Sequence, residues 1–338
     1  MCVFPDYPGP TPGARSQTEC KCKDDTVDQH KMIMDSNKKE CDAKISNQAK
    51  AFFKLMPKSQ NAVLDKQGNK QAVAVDFEYT YPLKLMIPKF ASTNNCVWVY
   101  FISFGGGLVE GDKLQFSVEI GTECCSVITT QSSTKVFACS GGLLTEQHLV
   151  ARICPGGLLA FLPDFIVCFE DAAYKQTQVF HMSHDSSLIV LDWCTSGRMA
   201  NNEIWDFTSF RSSNSIFIDN KLVFKDCMLL DQHKIVPLKE AMHHYNVLAT
   251  CIIIGKSTEE QCQHLLQVLG KRQALGELIN ADVSLAISEL KYTVEGVKIP
   301  GVVIKFATSN TLQAIKQIEE ILQHFYNRLG GNPFEGKY

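Results

Sequence analysis

From residue 72 onward the chain reads as short runs of valine, isoleucine, phenylalanine and threonine parted by clusters of glycine, proline, asparagine and serine. β-Branched and aromatic side chains fit a pleated, half-buried surface, and the residues between the runs fit turns, so this texture confines the chain to a mainly β fold. The runs are 72–79, 96–104, 113–120, 124–130, 143–153, 165–169, 188–193 and 216–224. After His243 the texture changes. A strand over 247–254 is followed by Ser257-Thr258-Glu259-Glu260, a capping-box signature ahead of Cys262, Leu265, Leu266 and Leu269. Another strand over 297–306 precedes Leu312, Ile315, Ile318, Ile321, Leu322, Phe325 and Leu329, one helical face read as core packing and closed by Gly330.

The first fifty residues differ. Pro5, Pro8, Pro10 and Pro12 open a stretch of alternating acids and lysines with no apolar period. The expected organisation is therefore a flexible N-terminal extension over 1–50, one β domain with C-terminal strand and helix elements over 51–330, and a short tail over 331–338.

Charge and length exclude several classes. A formal net charge of −3 over 338 residues gives no concentrated basic surface for nucleic acid. The apolar runs 97–104 and 247–254 are far short of the ~20 residues that span a bilayer, so no membrane helix is expected. The 14 cysteines are scattered, without a Cys-x-x-Cys and without a signal-peptide stretch after Met1, which fits reduced thiols in a cytoplasmic protein. Cys20, Cys22, Cys124 and Cys125 are read as ordinary thiols, and His181, His184 and the pair His243-His244 as solvated or structural side chains. No tight metal site and no tightly bound cofactor is expected.

The cluster Gly105-Gly106-Gly107 with Gly111 could cradle an anion, but Gly111 leads into Asp112 where a phosphate loop needs lysine. The spacing also misses the dinucleotide fingerprint. There is neither a Gly-x-Ser-x-Gly elbow nor a His-Glu-x-x-His motif. What remains is a set of oxygen donors attached to strand ends: Asp112, Thr134, Asp192, Glu203 and Asp226. Buried carboxylates are costly unless paired, hydrated or near a cation, so acids this close to apolar runs point to a wet interior or a contact surface; each could instead cap a turn.

Five stretches in one order carry a resemblance: Gly106-Gly107-Leu108-Val109-Glu110-Gly111-Asp112; Thr129-Thr130-Gln131 with Thr134-Lys135-Val136-Phe137; Leu162-Pro163-Asp164; Ala173-Tyr174-x-Gln176; and Ser196-Gly197-Arg198 with Glu203-x-Trp205-x-Phe207. Together they resemble the urease accessory protein D family, UreD, over roughly residues 51 to 329. One departure is Asn202, where the family usually has glycine; asparagine also tolerates a left-handed backbone.

The resemblance implies a non-enzymatic chaperone that binds apo-urease and works with UreF and with UreG, a GTPase delivering nickel. It implies an elongated, β-helix-like stack of strands with two flanking helices. On that basis Ni²⁺ in transit is expected to pass along a hydrated internal route offering weak oxygen sites, since histidine or thiolate clusters would trap it. Asp112, Thr134, Asp192 and Asp226 are the expected route residues, with Glu203 lining it or pairing with Arg198. Gly106, Gly107 and Gly111 would shape the backbone that holds Asp112, and Gly197 belongs to the same family motifs. Lys135 would pair with an acid or meet a partner, and structural roles fit Thr129, Thr130 and Pro163. Two alternatives stand beside this: a pure scaffold without nickel passage, and an enzyme using Asp112 and Asp192 as acid and base.

Overall fold

Strands in this chain come in two kinds, and the difference is written in their burial. Some alternate, as in Ala173–Met182, where every second residue is buried. Others are buried throughout, as in Ser187–Thr195. Alternation marks a sheet with one wet face, and continuous burial a sheet covered on both faces. The computed structural model describes residues 48–57, 72–88, 96–232, 235–270, 282–294 and 296–337. The expected extension thus lies outside the described residues up to residue 47.

In chain order the strands are β1 Gln48–Pro57, β2 Ala72–Tyr79, β3 Leu83–Met86, β4 Cys96–Ser103, β5 Lys113–Ile120, β6 Cys125–Thr130 and β7 Thr134–Val136. Then come β8 Thr145–Ile153, β9 Leu158–Phe161, β10 Ile166–Cys168, β11 Ala173–Met182, β12 Ser187–Thr195, β13 Ser209–Ile218 and β14 Lys221–Asp231. The last are β15 Val247–Gly255, β16 Val283–Glu289, β17 Tyr292–Val294, β18 Val297–Ile299 and β19 Gly301–Thr308.

Sheet A has the order β14-β13-β11-β8-β5-β1-β2, and sheet B the order β16-β19-β15-β12-β9-β6-β4-β3. The middle of each is parallel: β1, β5, β8, β11 and β13 in A, β4, β6, β9 and β12 in B. Because the chain visits the sheets alternately, β4 then β5, β6 then β8, β9 then β11, β12 then β13, each circuit adds one strand to each. This is the expected mainly β, β-helix-like stack. Antiparallel strands close both ends of both sheets.

One apolar core lies between the sheets and contains Phe53, Phe116, Phe161, Phe180, Val190 and Ile252. A second lies on the far side of sheet B, where Ile189, Leu191, Trp193, Cys251 and Ile253 meet the helices Glu259–Leu269 and Thr311–Leu322. These two C-terminal helices cover the face that the continuous apolar runs of β12 and β15 would otherwise expose. At roughly 1.5–3 kcal/mol for each large apolar side chain fully buried, that cover is a main term in holding sheet B.

Several expectations about detail are corrected. The run 216–224 is not one strand but the end of β13, a turn at Asp219 and Asn220 with φ of 46° and 63°, and the start of β14; asparagine and aspartate tolerate that left-handed turn. The run 297–306 breaks into β18 and β19 at Pro300, whose missing N–H cannot serve a sheet ladder. The capping box does not close: the Thr258 hydroxyl donates to the Gly255 carbonyl at 2.8 Å instead of capping its helix. Leu312 is 66% exposed, at the start of a helix whose Ile315, Ile318, Ile321 and Leu322 are buried. Gly330 does end the final turn, with φ 82°.

Candidate functional site

Where sheets A and B face each other, the apolar core is interrupted by a belt of polar side chains. On sheet A, Gln147 of β8 stands beside Gln176 of β11, and Gln176 beside Ser212 of β13. Two residues along, Gln178 stands beside Asn214, and Asn214 beside Asp226 of β14. On sheet B a single register row carries Asp192 of β12, Thr250 of β15 and Lys305 of β19. Period-2 alternation with the buried Val190 and Ile252 turns the first two of these toward sheet A. Gln176, Gln178, Asp192, Ser212, Asn214 and Thr250 are all buried.

Asp192 is the hub. Its Oδ1 accepts from Gln176 Nε2 at 2.6 Å, and its Oδ2 accepts from Asn214 Nδ2 at 2.6 Å and from the Ser212 hydroxyl. Gln176 Nε2 also donates to Ser212 Oγ at 2.9 Å. Burial pushes the Asp192 carboxyl above its usual range; the Ser212, Asn214 and Gln176 donors act the other way, and the nearby Asp226 adds to the rise. Two oxygens of the belt, Gln178 Oε1 and Asn214 Oδ1, are buried and have no hydrogen-bond partner among the described residues. A carboxylate with two unspent amide carbonyls is a donor set suited to water or to a hard or borderline cation held briefly.

The belt ends at a cavity on one side and at a surface ion pair on the other. At one, Asp192, Gln176 and Gln178 join Thr130, Thr134 and Asp164 in lining a cavity of about 50 Å³, room for on the order of three waters. At the other, Asp226 Oδ1 accepts from Lys305 Nζ at 2.6 Å, joining the two sheets where the lysine side chain is 52% exposed.

Among the expected route residues, Thr134 and Asp192 therefore share the cavity wall and Asp226 stands at the far end of the belt. Asp112 is held elsewhere: it is 8% exposed and its Oδ2 accepts from the Val109 N–H at 2.8 Å, closing the turn between them. Burial raises its carboxyl and the Val109 N–H opposes that. Gly107 lies so close to β7 that a Cβ there would sit 2.8 Å from the Lys135 carbonyl oxygen. Gly106, in the bend before the Leu108 bridge, and Gly111, in the Val109–Asp112 turn after it, both take φ of 79°. The Lys135 side chain is exposed. Beside this turn, Glu110 accepts from the N–H groups of Gly141 at 2.8 Å and Leu143 at 2.7 Å, which hold it below the usual carboxylate range.

Glu203 takes the pairing option. Arg198 Nε donates to its Oε2 at 2.7 Å and Nη2 to its Oε1, while the guanidinium lies 3.9 Å from the Phe169 ring centroid. Asn202 adopts the left-handed conformation with φ 63°, and a Cβ on Gly197 would sit 2.8 Å from the Glu203 carbonyl oxygen. Thr129 donates to the Leu162 carbonyl at 2.7 Å, Thr130 to Asp164 Oδ2 at 2.9 Å, and the Pro163 carbonyl accepts from Trp193 Nε1 at 2.8 Å. His181 stacks on Phe217 and His184 pairs with Asp219. Among the described residues no group of three or more histidine, cysteine or acidic side chains could hold a metal, and no helix is long and apolar enough to cross a membrane.

Sequence reasoning missed Gln178, Ser212, Asn214, Thr250 and Lys305, and it used Gln176 only as part of a motif. The available signal was alternation in 173–182, where Gln176 and Gln178 occupy the same parity as Tyr174 and Phe180.

A family model described as UreD urease accessory protein matches residues 60–336. Urease accessory protein D of Arabidopsis thaliana is 40% identical over 201 residues, covering 59% of this chain and 68% of that protein. Its counterpart in Oryza sativa subsp. japonica is 39% identical over 188 residues, 54% of this chain and 61% of that protein, so less than two thirds of the rice relative is spanned. Urease accessory protein UreD of Sorangium cellulosum is 30% identical over 258 residues, 76% and 77% of the two chains.

Proposed function

This chain belongs to the UreD urease accessory protein family, and from that premise we propose that it binds apo-urease, assembles with UreF and the GTPase UreG, and passes Ni²⁺ along the polar belt between its sheets. Its relatives carry the names of accessory proteins, not of enzymes. The observation that supports the internal route is the belt itself: a buried carboxylate, amides and hydroxyls running from a cavity to a surface ion pair through a core that is otherwise apolar. Burying such groups is unfavourable and contributes little to packing, so a role for them beyond stability is the economical account.

On this reading Ni²⁺ is cargo. Thr134 and Asp192 would receive it at the cavity, Gln178 Oε1 and Asn214 Oδ1 would replace part of its water shell, and Asp226 would meet it at the exit. A path built of single oxygen donors lets an ion leave again, where a closed ligand set would keep it. Asp112 and Glu203 would serve the frame, by closing the Val109 turn and fixing Arg198. No contact brings Asp112 and Asp192 together among the described residues, so an acid and base pair finds no support. The protein would work in the cytoplasm.

The pure scaffold is the second reading, and it too has an observation in its favour. Tyr81 and Phe104 stack at the surface, 78% and 47% exposed, as side chains awaiting a docking partner would. One experiment separates the two: capture of apo-urease and of the UreF–UreG complex by the Asp192→Ala variant, measured with nickel loading of urease. Retained capture with lost loading supports passage; retained loading leaves the scaffold.

A further inference from the structure

Residues 329–337 return to sheet B and pack against it. Trp98 Nε1 donates to the Leu329 carbonyl at 2.6 Å, Asn332 Nδ2 donates to Glu319 Oε1 at 3.0 Å, and Phe334, 3% exposed, meets Trp193 edge-on at 6.0 Å. These contacts bring Lys337 to the end of β6. There its ammonium donates to Thr129 Oγ1 at 2.9 Å, to the Thr130 carbonyl at 2.7 Å and to Asp164 Oδ2 at 3.0 Å. The rings of Phe334 and Tyr100 lie 5.5 Å and 5.8 Å from it. The Asp164 side chain is 0% exposed and that of Lys337 11%.

A hydroxyl, a carbonyl and a buried carboxylate converging on one positive charge, with two ring faces behind it, are the ingredients of a cation site. Here the cation is tethered. Lysine is an awkward group for such a place, since its long side chain loses rotamer freedom and its charge is strongly hydrated. Thr130 and Asp164 also line the cavity that holds Thr134 and Asp192. The plug therefore shares a wall with the belt.

We propose that Thr129, Thr130 and Asp164 form a cation site on the cavity wall which the chain's own Lys337 occupies, so that the C-terminal segment is a plug that a divalent metal ion can displace. The inference deepens the reading of the belt as a nickel route and rests on it for the identity of the ion alone. Electrostatics require the exchange to be competitive, because Asp164 cannot hold an ammonium and a metal ion in one place without strong repulsion between them.

The test follows the amine of Lys337 in the wild-type chain by its rate of modification with an amine-reactive label, located by mass spectrometry, with and without Ni²⁺ or Mn²⁺. Displacement exposes the amine, so modification of Lys337 should rise at least about tenfold with the ion while other lysines stay constant. The Lys337→Met variant should bind Ni²⁺ at least about tenfold more tightly than wild type by calorimetry, because the competitor is gone. Adding Asp164→Asn should remove that gain. Modification that responds to neither ion overturns the plug, and so does equal affinity of wild type and Lys337→Met for the ion that raises modification; the labelling result decides alone where Lys337→Met is too unstable to study. A response to Mn²⁺ without one to Ni²⁺ supports the plug while removing nickel as its ion, and so counts against the route and not against the site.

Discussion

Gln176 Nε2 reaches across from sheet A to Asp192 Oδ1 of sheet B at 2.6 Å, and this bond ties together the two layers at the point where the core is least apolar. Its partners Ser212 and Asn214 converge on the same carboxylate. The arrangement keeps an acid in the interior, where burial makes its ionisation harder and three donors make it easier, and that has measurable consequences.

The Asp192 carboxyl has a native pKa above its ordinary value of 3.8. The native state thus binds this proton more tightly than the unfolded chain does. The stability so contributed is fully present below 3.8 and is lost as pH rises through the native pKa. Asp192→Asn lacks this titration, and its amide can accept from one of Gln176 and Asn214 as before and donate to the other once that amide turns over. The difference in unfolding free energy, wild type minus variant, should therefore fall as pH rises, read by denaturant titration at several pH values. At neutral pH the variant should be no less stable than wild type, yet nickel loading of urease should drop by more than about tenfold for want of the charge. A flat difference against pH would mean that Asp192 is not strained.

Gln176→Leu removes the donor to Asp192 Oδ1 and to Ser212 while nearly keeping volume. A hydrogen bond to a charged group is worth about 1.5–3 kcal/mol, so stability at neutral pH should fall by that much. The carboxyl should also titrate higher than in wild type, because a donor that favours its charged form is gone. Carbon-13 NMR of the Asp192 carboxyl reports this directly; an unmoved titration would show the bond to be weak.

Much of the fold, and less of the site, is legible in the sequence. The covered strands stood out, because Leu188-Ile189-Val190-Leu191 and the run through Ile252-Ile253-Ile254 are apolar on both faces. The final helix stood out too, through Ile315, Ile318, Ile321 and Leu322. β11 and β13 did not, although their pairing builds the belt. Their inward residues Gln176, Gln178, Ser212 and Asn214 are polar, so period 2 is clear in burial while weakened in hydropathy, where only Tyr174, Phe180 and Met182 keep it in β11. The rule that polar residues face water hides a buried polar site. Asp192 was recognisable because a carboxylate amid isoleucine and tryptophan breaks an apolar run. Its partners lie 16, 20 and 22 residues away, and pairing across sheets leaves no local mark. Asp112 could be placed beside a turn by its glycines, but whether it faced the interior depended on the Val109 N–H that claims it.

The pair Asp226–Lys305 bridges the sheets at 2.6 Å, with side-chain exposures of 17% and 52%. At such exposure screening is strong, and the pair should contribute no more than about 1 kcal/mol. Asp226→Asn and Lys305→Ala are each expected to leave thermal stability nearly unchanged. Their effects on nickel loading should differ in sign: losing the acid removes an exit site, whereas losing the lysine removes a repulsive charge from it. Initial loading rates in low salt would report both, and a parallel fall in the two variants would count against Asp226 as an exit.

Arg198 holds the Glu203 carboxyl below its ordinary value of 4.5, with the Glu170 N–H assisting and burial opposing. Since the native pKa is depressed, the stabilising contribution is present above 4.5 and disappears as pH falls through the native value. Glu203→Gln should flatten that acid limb and loosen the turn carrying Asn202, seen as faster amide exchange over 198–205. Because the Arg198 side chain is 39% exposed, added salt should weaken the wild-type advantage. Unchanged exchange would assign the turn to its backbone bonds instead.

Asp112→Ala separates frame from route. The backbone bonds that flank the residue, Asp112 N–H to the Val109 carbonyl at 3.1 Å and Glu146 N–H to the Asp112 carbonyl at 2.8 Å, survive the change. Only the Val109 N–H loses its acceptor, which costs about 1 kcal/mol, or up to about 3 if no water replaces it. Asp112→Asn keeps an acceptor oxygen there and should recover most of that loss. For a residue of the frame, urease activation per correctly assembled complex is expected to be the same in wild type, Asp112→Ala and Asp112→Asn. Activation lost in both variants, with assembly and melting temperature intact, would instead show that the negative charge is what matters, and would return Asp112 to the path of the ion.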